Sequence, residues 1–179
     1  MTATAANTGE RRRYWLSIAA LAVVLPAAIL VHTGDTIREW LRDMRNPIAV
    51  ESGTLQRYAG ADWRLTGLAR LPGNLPDTII VLAEFEATVD DPKQLVENRC
   101  QVALTDDRGR RWEPAFLPGS AVRKAKPAAA DKPHCGLFEE LSPGDTVMMA
   151  ESFVVPEDAE SLALSVSLSG ALPAYLHFR

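Results

Sequence analysis

The spacing of apolar and polar positions changes twice along the chain. Tyr14 to Val31 reads YWLSIAALAVVLPAAILV, eighteen residues without a charge, bounded by Arg11–Arg13 before it and by His32 and Asp35 after it. As a helix it would span roughly 27 Å, close to the ~30 Å of bilayer hydrocarbon. Tyr14, Trp15 and Leu16 open the run and Val31 closes it, with the two aromatic rings where a membrane interface favours them. Pro26 lies inside the run, which a membrane helix tolerates better than a soluble one. The preferred reading is an uncleaved single-pass signal-anchor over residues 14–32. A cleaved signal peptide stays open, although ILVHTGD offers no clear small-x-small cleavage site. In the next stretch Ile37, Trp40, Leu41 and Met44 recur at i, i+3, i+4 and i+7. They form one stripe of a short helical stalk that Pro47 ends. That stripe packs on its own domain or on the bilayer, with a partner membrane helix as the sharper alternative.

From about residue 48 the period becomes two. In Thr78–Val89 the residues Ile79, Val81, Ala83, Phe85, Ala87 and Val89 share one side; Leu82, Glu84, Glu86 and Thr88 share the other. Ser161–Ser169 alternates in the same way. Such alternation marks strands with one face on a core and the other toward water. Further strands are predicted at Ile48–Thr54, Trp63–Ala69, Arg99–Thr105, Arg111–Leu117, Thr146–Val155 and Ala174–Phe178. Turns such as Pro72-Gly73-Asn74, Asp107-Arg-Gly109 and Ser142-Pro143-Gly144-Asp145 separate them. Pro92–Asn98 has room for one helical turn. Seven or eight short strands in this length predict an all-β, immunoglobulin-like antiparallel β-sandwich over residues 48–179. The predicted organisation is a cytoplasmic tail (1–13), a transmembrane helix (14–32), a helical stalk (33–47) and that extracytoplasmic domain.

Leu141–Ser167, LSPGDTVMMAESFVVPEDAESLALSVS, resembles the closing hairpin of telokin-like immunoglobulin-type domains of bacterial exported and membrane-anchored proteins. Its marks are the Pro143-Gly144 turn, Phe153, the Val155-Pro156 step, the acidic turn at Glu157–Glu160 and the apolar strand Leu162–Leu168. Leu104, the Asp107-Arg-Gly109 turn and Trp112 match the upstream pattern. The resemblance covers about half the chain. It implies the fold and brings no catalytic residues with it.

Composition adds location more than activity. Apolar residues are 47% of the 179, charged residues 23%, and the net charge is −4, with a pI near 5.4. That balance argues against nucleic acid, which needs a concentrated basic face. Residues 46–179 carry 13 bases and 19 acids, whereas the first 45 carry six Arg and four acids. The Arg11–Arg13 triplet favours a cytoplasmic N-terminus by the positive-inside rule. The expected location is therefore a bacterial inner membrane with the C-terminal domain in the periplasm. There Cys100 and Cys135 are expected to pair, which would stabilise by about 3–4 kcal/mol in the chain-entropy account.

Candidate chemistry is sparse. His134, Met148 and Met149 would be the ligands of a copper site, but the order is wrong for a blue-copper loop. Glu84 and Glu86 share a strand face and read as solvated acids. No nucleophile elbow or phosphate-binding glycine loop is present, so no enzyme and no cofactor are expected. The 118–133 stretch, PGSAVRKAKPAAADKP, concentrates Arg123, Lys124, Lys126 and Lys132 against Asp131. As a long loop it is a solvated insertion or a docking site for anionic lipid or an acidic partner. The function expected is a non-catalytic interaction or accessory module of an envelope complex. Its partners would be the membrane and a protein; a small-ligand or copper-binding periplasmic domain is the alternative.

Overall fold

The computed structural model describes residues 13–22, 24, 46–115, 119–138 and 140–179. The chain divides into two units, Met1–Met44 and Arg45–Arg179. In the first unit residues 13–22 are helical (α1), with Tyr14, Trp15 and Leu16 exposed. Among the described residues no helix is long and apolar enough to cross a membrane. Position 23 and positions 25–32 of the predicted span, Val31 included, lie outside the described residues. So do Ile37, Trp40, Leu41 and Met44 of the predicted stalk.

The second unit is a β-sandwich. Its strands are β1 (Asn46–Val50), β2 (Gln56–Tyr58), β3 (Ala61–Pro72), β4 (Thr78–Val89), β5 (Cys100–Thr105), β6 (Arg111–Trp112), β7 (Thr146–Pro156), β8 (Ala163–Leu168) and β9 (Ala174–Phe178). Short helices occupy α2 (Pro92–Glu97), α3 (Ser120–Ala125) and α4 (Pro127–Ala130). One sheet has the order β1-β9-β8-β5-β6 and the other β2-β3-β4-β7. Two expectations need correction. There are nine described strands rather than seven or eight, and β1 runs parallel to β9, so the sandwich is not wholly antiparallel. Asn46 and Pro47, read as the end of the stalk, pair with Ala174 and Tyr175. Pro47 fits there because β1 is an edge strand, where a missing N–H need not break the ladder.

The extra strand, β2, comes from a two-residue hairpin. Ala59 and Gly60 both have positive φ, 48° and 81°, which is the primed turn that matches strand twist. A Cβ on Gly60 would lie 2.9 Å from the Asp91 carbonyl oxygen, so glycine is needed for clearance as well. Strand β6 ends before Glu113, earlier than predicted, and positions 116–117 of the predicted strand lie outside the described residues. After Trp112 the chain leaves its sheet, and the Ala115 N–H donates to the Ser152 carbonyl of β7 at 2.7 Å. Asp91 caps α2 by accepting from the Lys93 N–H at 3.1 Å, with Pro92 at the first helical position.

The core follows from the alternation. Trp63 and Phe85 stack with centroids 6.4 Å apart, among Leu104, Phe153, Leu164 and Phe178, all buried. The Trp63 indole donates to the Tyr58 carbonyl at 2.9 Å. Tyr58 then joins the two sheets. Its hydroxyl donates to the Ala174 carbonyl at 2.9 Å and accepts from the Leu168 N–H at 3.1 Å. Burial pushes the phenol above its ordinary value, against the opposing pull of the Leu168 N–H.

The Tyr58 bridge is testable. Tyr58→Phe keeps the ring and strands one backbone donor and one acceptor between the sheets, so urea unfolding should show a loss of about 2 kcal/mol. A loss within 0.5 kcal/mol, roughly the scale of an inert surface change, would mean that water replaces the hydroxyl.

Candidate functional site

The long basic stretch is not a loop. Between Gly119 and Lys132 it forms α3 and α4, which lie over the outer face of the four-stranded sheet. The reason is in β4. Ile80 and Leu82 project from the face opposite to Val81 and Phe85, and Ala150 of β7 lies beside them. Those apolar side chains need a cover. Val122 from α3 and Ala129 from α4 supply it, and both are fully or nearly fully buried. The cover places the lysines. Lys132 Nζ lies 2.9 Å from Glu84 Oε1, and Lys126 Nζ lies 3.7 Å from Glu84 Oε2. Glu86 is paired as well, accepting from Arg64 Nε at 3.0 Å. The two acids read as solvated are thus engaged. The hydrogen bond from Lys132 holds the Glu84 carboxyl below its ordinary value; burial opposes this and the charges of Lys132 and Lys126 reinforce it. Of the four basic candidates, Lys126 and Lys132 face inward charge, while Arg123 and Lys124 are exposed with no side-chain partner among the described residues.

A second cluster gathers at the end of the cover. Cys100 and Cys135 form a disulfide with Cα atoms 5.6 Å apart, closing 35 positions of chain. Beside it Glu151, on the core-facing side of β7, is buried. It accepts from the Cys135 N–H at 2.9 Å and pairs with His134 Nδ1 at 2.8 Å. His134 is therefore turned to a carboxylate. Met149 and Met148 are strand neighbours on opposite faces, the first fully buried in the core and the second 51% exposed. The three copper candidates are not brought together as one ligand set. Among the described residues no group of three His, Cys, Asp or Glu side chains is arranged to hold a metal.

Two arrangements were not foreseen. At the turn after β5, Asp106 accepts from Arg110 Nε at 2.7 Å and from the Arg108 and Arg110 N–H groups, and Arg110 and Arg108 both reach Asp158. Burial pushes the Asp106 carboxyl up, but these donors outweigh it and hold the group below its ordinary value. The turn acids are thus structural anchors. Elsewhere, β8–β9 pairing sets Ser165 opposite His177, with Oγ and Nδ1 3.3 Å apart. Twelve positions of chain hide that pair from a local motif search. Burial, helped by the Arg179 charge, pushes His177 below its ordinary value, which favours the neutral ring. Near β5 a cavity of about 330 Å³ opens between Arg99, Gln101 and Val102 on one side and Arg111 and Glu113 on the other.

These features define a β-sandwich with a basic helical cover. No family model and no curated protein matches the chain. Three solved structures are similar in outline. An uncharacterized β-sandwich protein from Clostridium difficile 630 aligns with a TM-score of 0.48 at 8% identity, over 75% of this chain and 94% of that one. A conserved hypothetical protein from Bacillus anthracis gives 0.45 at 11%, over 67% and 89%. The YjhA protein from Bacillus subtilis gives 0.39 at 14%, over 64% and 78%.

The ion pairs under the cover set a pH dependence. Glu84 has a lowered folded value, so its contribution is complete above the ordinary glutamate range near about 4.3 and fades as pH falls through the lower folded value. Glu84→Gln should cost about 1 kcal/mol in urea unfolding at pH 7. The gap to wild type should stay level down to about pH 5 and narrow toward pH 3. A gap independent of pH would show that the lysines stabilise nothing through Glu84.

Proposed function

We propose that this protein is a non-catalytic interaction or accessory module of a bacterial cell-envelope complex. In this reading the apolar N-terminal segment holds it at the inner membrane, and the sandwich, of immunoglobulin-like type, docks an acidic protein partner in the periplasm. The observation that carries the reading is the cover. Val122 and Ala129 seat it on Ile80 and Leu82, Lys132 ties it to Glu84, and Arg123 and Lys124 are left pointing outward. A domain with an excess of acids thus offers a rigid basic spot. Fixed cations speed encounter with an oppositely charged surface more than they add raw affinity. The Cys100–Cys135 bond is consistent with an oxidising compartment.

The test uses the full chain in detergent extract. A membrane protein should co-purify with the wild type, and recovery should fall at least about tenfold for Arg123→Glu with Lys124→Glu. Raising salt from about 0.1 M to 1 M should weaken the contact, since the screening length drops from ~10 Å to ~3 Å. Recovery of the protein alone, or recovery unaffected by charge reversal, sinks the reading. A periplasm-dependent reporter fused after Arg179 checks the location; an inactive reporter rejects the envelope placement.

A further inference from the structure

We propose that the notch between β5 and the chain at Arg111–Ala115 is a carboxylate-binding site that takes the C-terminal end of a peptide. The notch arises from unequal pairing. Strand β8 pairs with β5 along its whole length, Cys100 to Thr105, but β6 pairs only with Leu104 and Thr105. Past Trp112 the chain swings toward β7, where Ala115 bonds Ser152. The walls therefore diverge, and the cavity of about 330 Å³ lies between them.

Backbone polarity inside the notch follows from one hydrogen bond. The Ser169 N–H donates to the Arg99 carbonyl at 3.1 Å. Alternation along an antiparallel ladder then turns the polar groups of Gln101 and Ala103 toward β8 and those of Cys100 and Val102 toward the notch. The Leu168 N–H, opposite Cys100, agrees with this, because it is bonded to the Tyr58 hydroxyl instead of β5. Gly136 flanks the Cys100 end: a Cβ there would stand 3.7 Å from the Cys100 nitrogen. The Leu104–Trp112 pair bounds the other. Val102 is left with an N–H and a C=O that no strand pairs among the described residues. A gap flanked at both ends suits the end of a chain better than a passing strand, and its volume is at the small end for ligand sites.

The donors fit a carboxylate. Arg99 is exposed at the rim, and its guanidinium has no hydrogen bond or ion pair among the described residues. Arg111 on the facing wall is already engaged, so Arg99 supplies the guanidinium. A guanidinium together with a backbone N–H is the usual donor set for a terminal carboxylate. Glu151 on the floor is already committed to His134 and the Cys135 N–H. Glu113, exposed on the rim, opposes an anion and makes the two rim charges act with opposite sign. This site stands apart from the basic cover and does not depend on it.

The experiment measures polarisation of fluorescein-labelled Ala-Ala-Val on the full chain in detergent, with the peptide as free acid and as amide, and with sodium acetate as competitor. The free acid should bind at least about tenfold more tightly than the amide. Arg99→Gln should weaken it about tenfold and Glu113→Gln should tighten it severalfold, both with unchanged urea midpoints. Acetate should compete only far above the peptide concentration. Absence of binding, equal binding of acid and amide, or the two variants moving affinity together overturns the site. Acetate competing as well as the peptide overturns the peptide end as the occupant.

Discussion

Strand β4 carries apolar side chains on both of its faces, and the rest of the domain accommodates that fact. Val81, Phe85 and Val89 face the five-stranded sheet and build the core. Ile80 and Leu82 face the other way and would meet water in a simple two-layer sandwich. Burying two such side chains is worth roughly 1.5–3 kcal/mol each, which favours a cover over them but offsets only part of the entropy lost in ordering the covering segment. The segment between β6 and β7 meets that need by forming α3 and α4 over the exposed patch. A stretch that looks like a mobile basic insertion becomes a fixed third layer over half of one sheet.

Once the cover is seated, electrostatics sorts its charges. Glu84 lies two residues beyond Leu82 on the same face, and so meets Lys132 and Lys126 at the margin of the cover. Arg123 and Lys124 follow Val122 on a helix and must turn away from the sheet when Val122 turns toward it. The basic stretch is therefore split by geometry into cations that hold the cover and cations that face out. The same economy recurs at Asp106 and Glu151, whose buried carboxylates fix a turn and a loop through several donors each.

Much of the fold was legible because period two is a direct consequence of strand geometry. Thr78–Val89 and Ala174–Phe178 match their strands to the residue. The pairing of Cys100 with Cys135 was also readable, given an exported domain. What failed to show has definite causes. The β2–β3 hairpin turns on Ala59-Gly60, not an Asn-Gly or Asp-Gly pair, and its first strand is only three residues long. Arg111–Leu117 looks like one strand, but a chain that changes sheets keeps its alternation while losing its partner. Leu82 was read as a solvent-side residue because alternation says which side a residue takes and nothing of what lies there. The parallel β1–β9 pair joins the two ends of the domain, and no local pattern encodes a contact across 128 positions such as Asn46 with Ala174.

The disulfide connects these separate solutions. Cys135 follows the end of the cover by a few residues and Cys100 begins β5, so the bond ties the third layer to the first strand of the notch. Its Cys135 N–H is also a donor to Glu151, which in turn holds His134. Without this link the chain would reach the notch held by the Glu84 and Glu151 contacts and the small apolar side chains of the cover. Closing a loop of this length removes unfolded-state freedom worth about 3–4 kcal/mol, more than any single ion pair on the cover supplies. The position of Gly136 against Cys100 is thus inherited from the covalent link next to it. Sheet pairing opens the gap between β5 and Arg111–Ala115, and the cross-link holds Gly136 beside its Cys100 end.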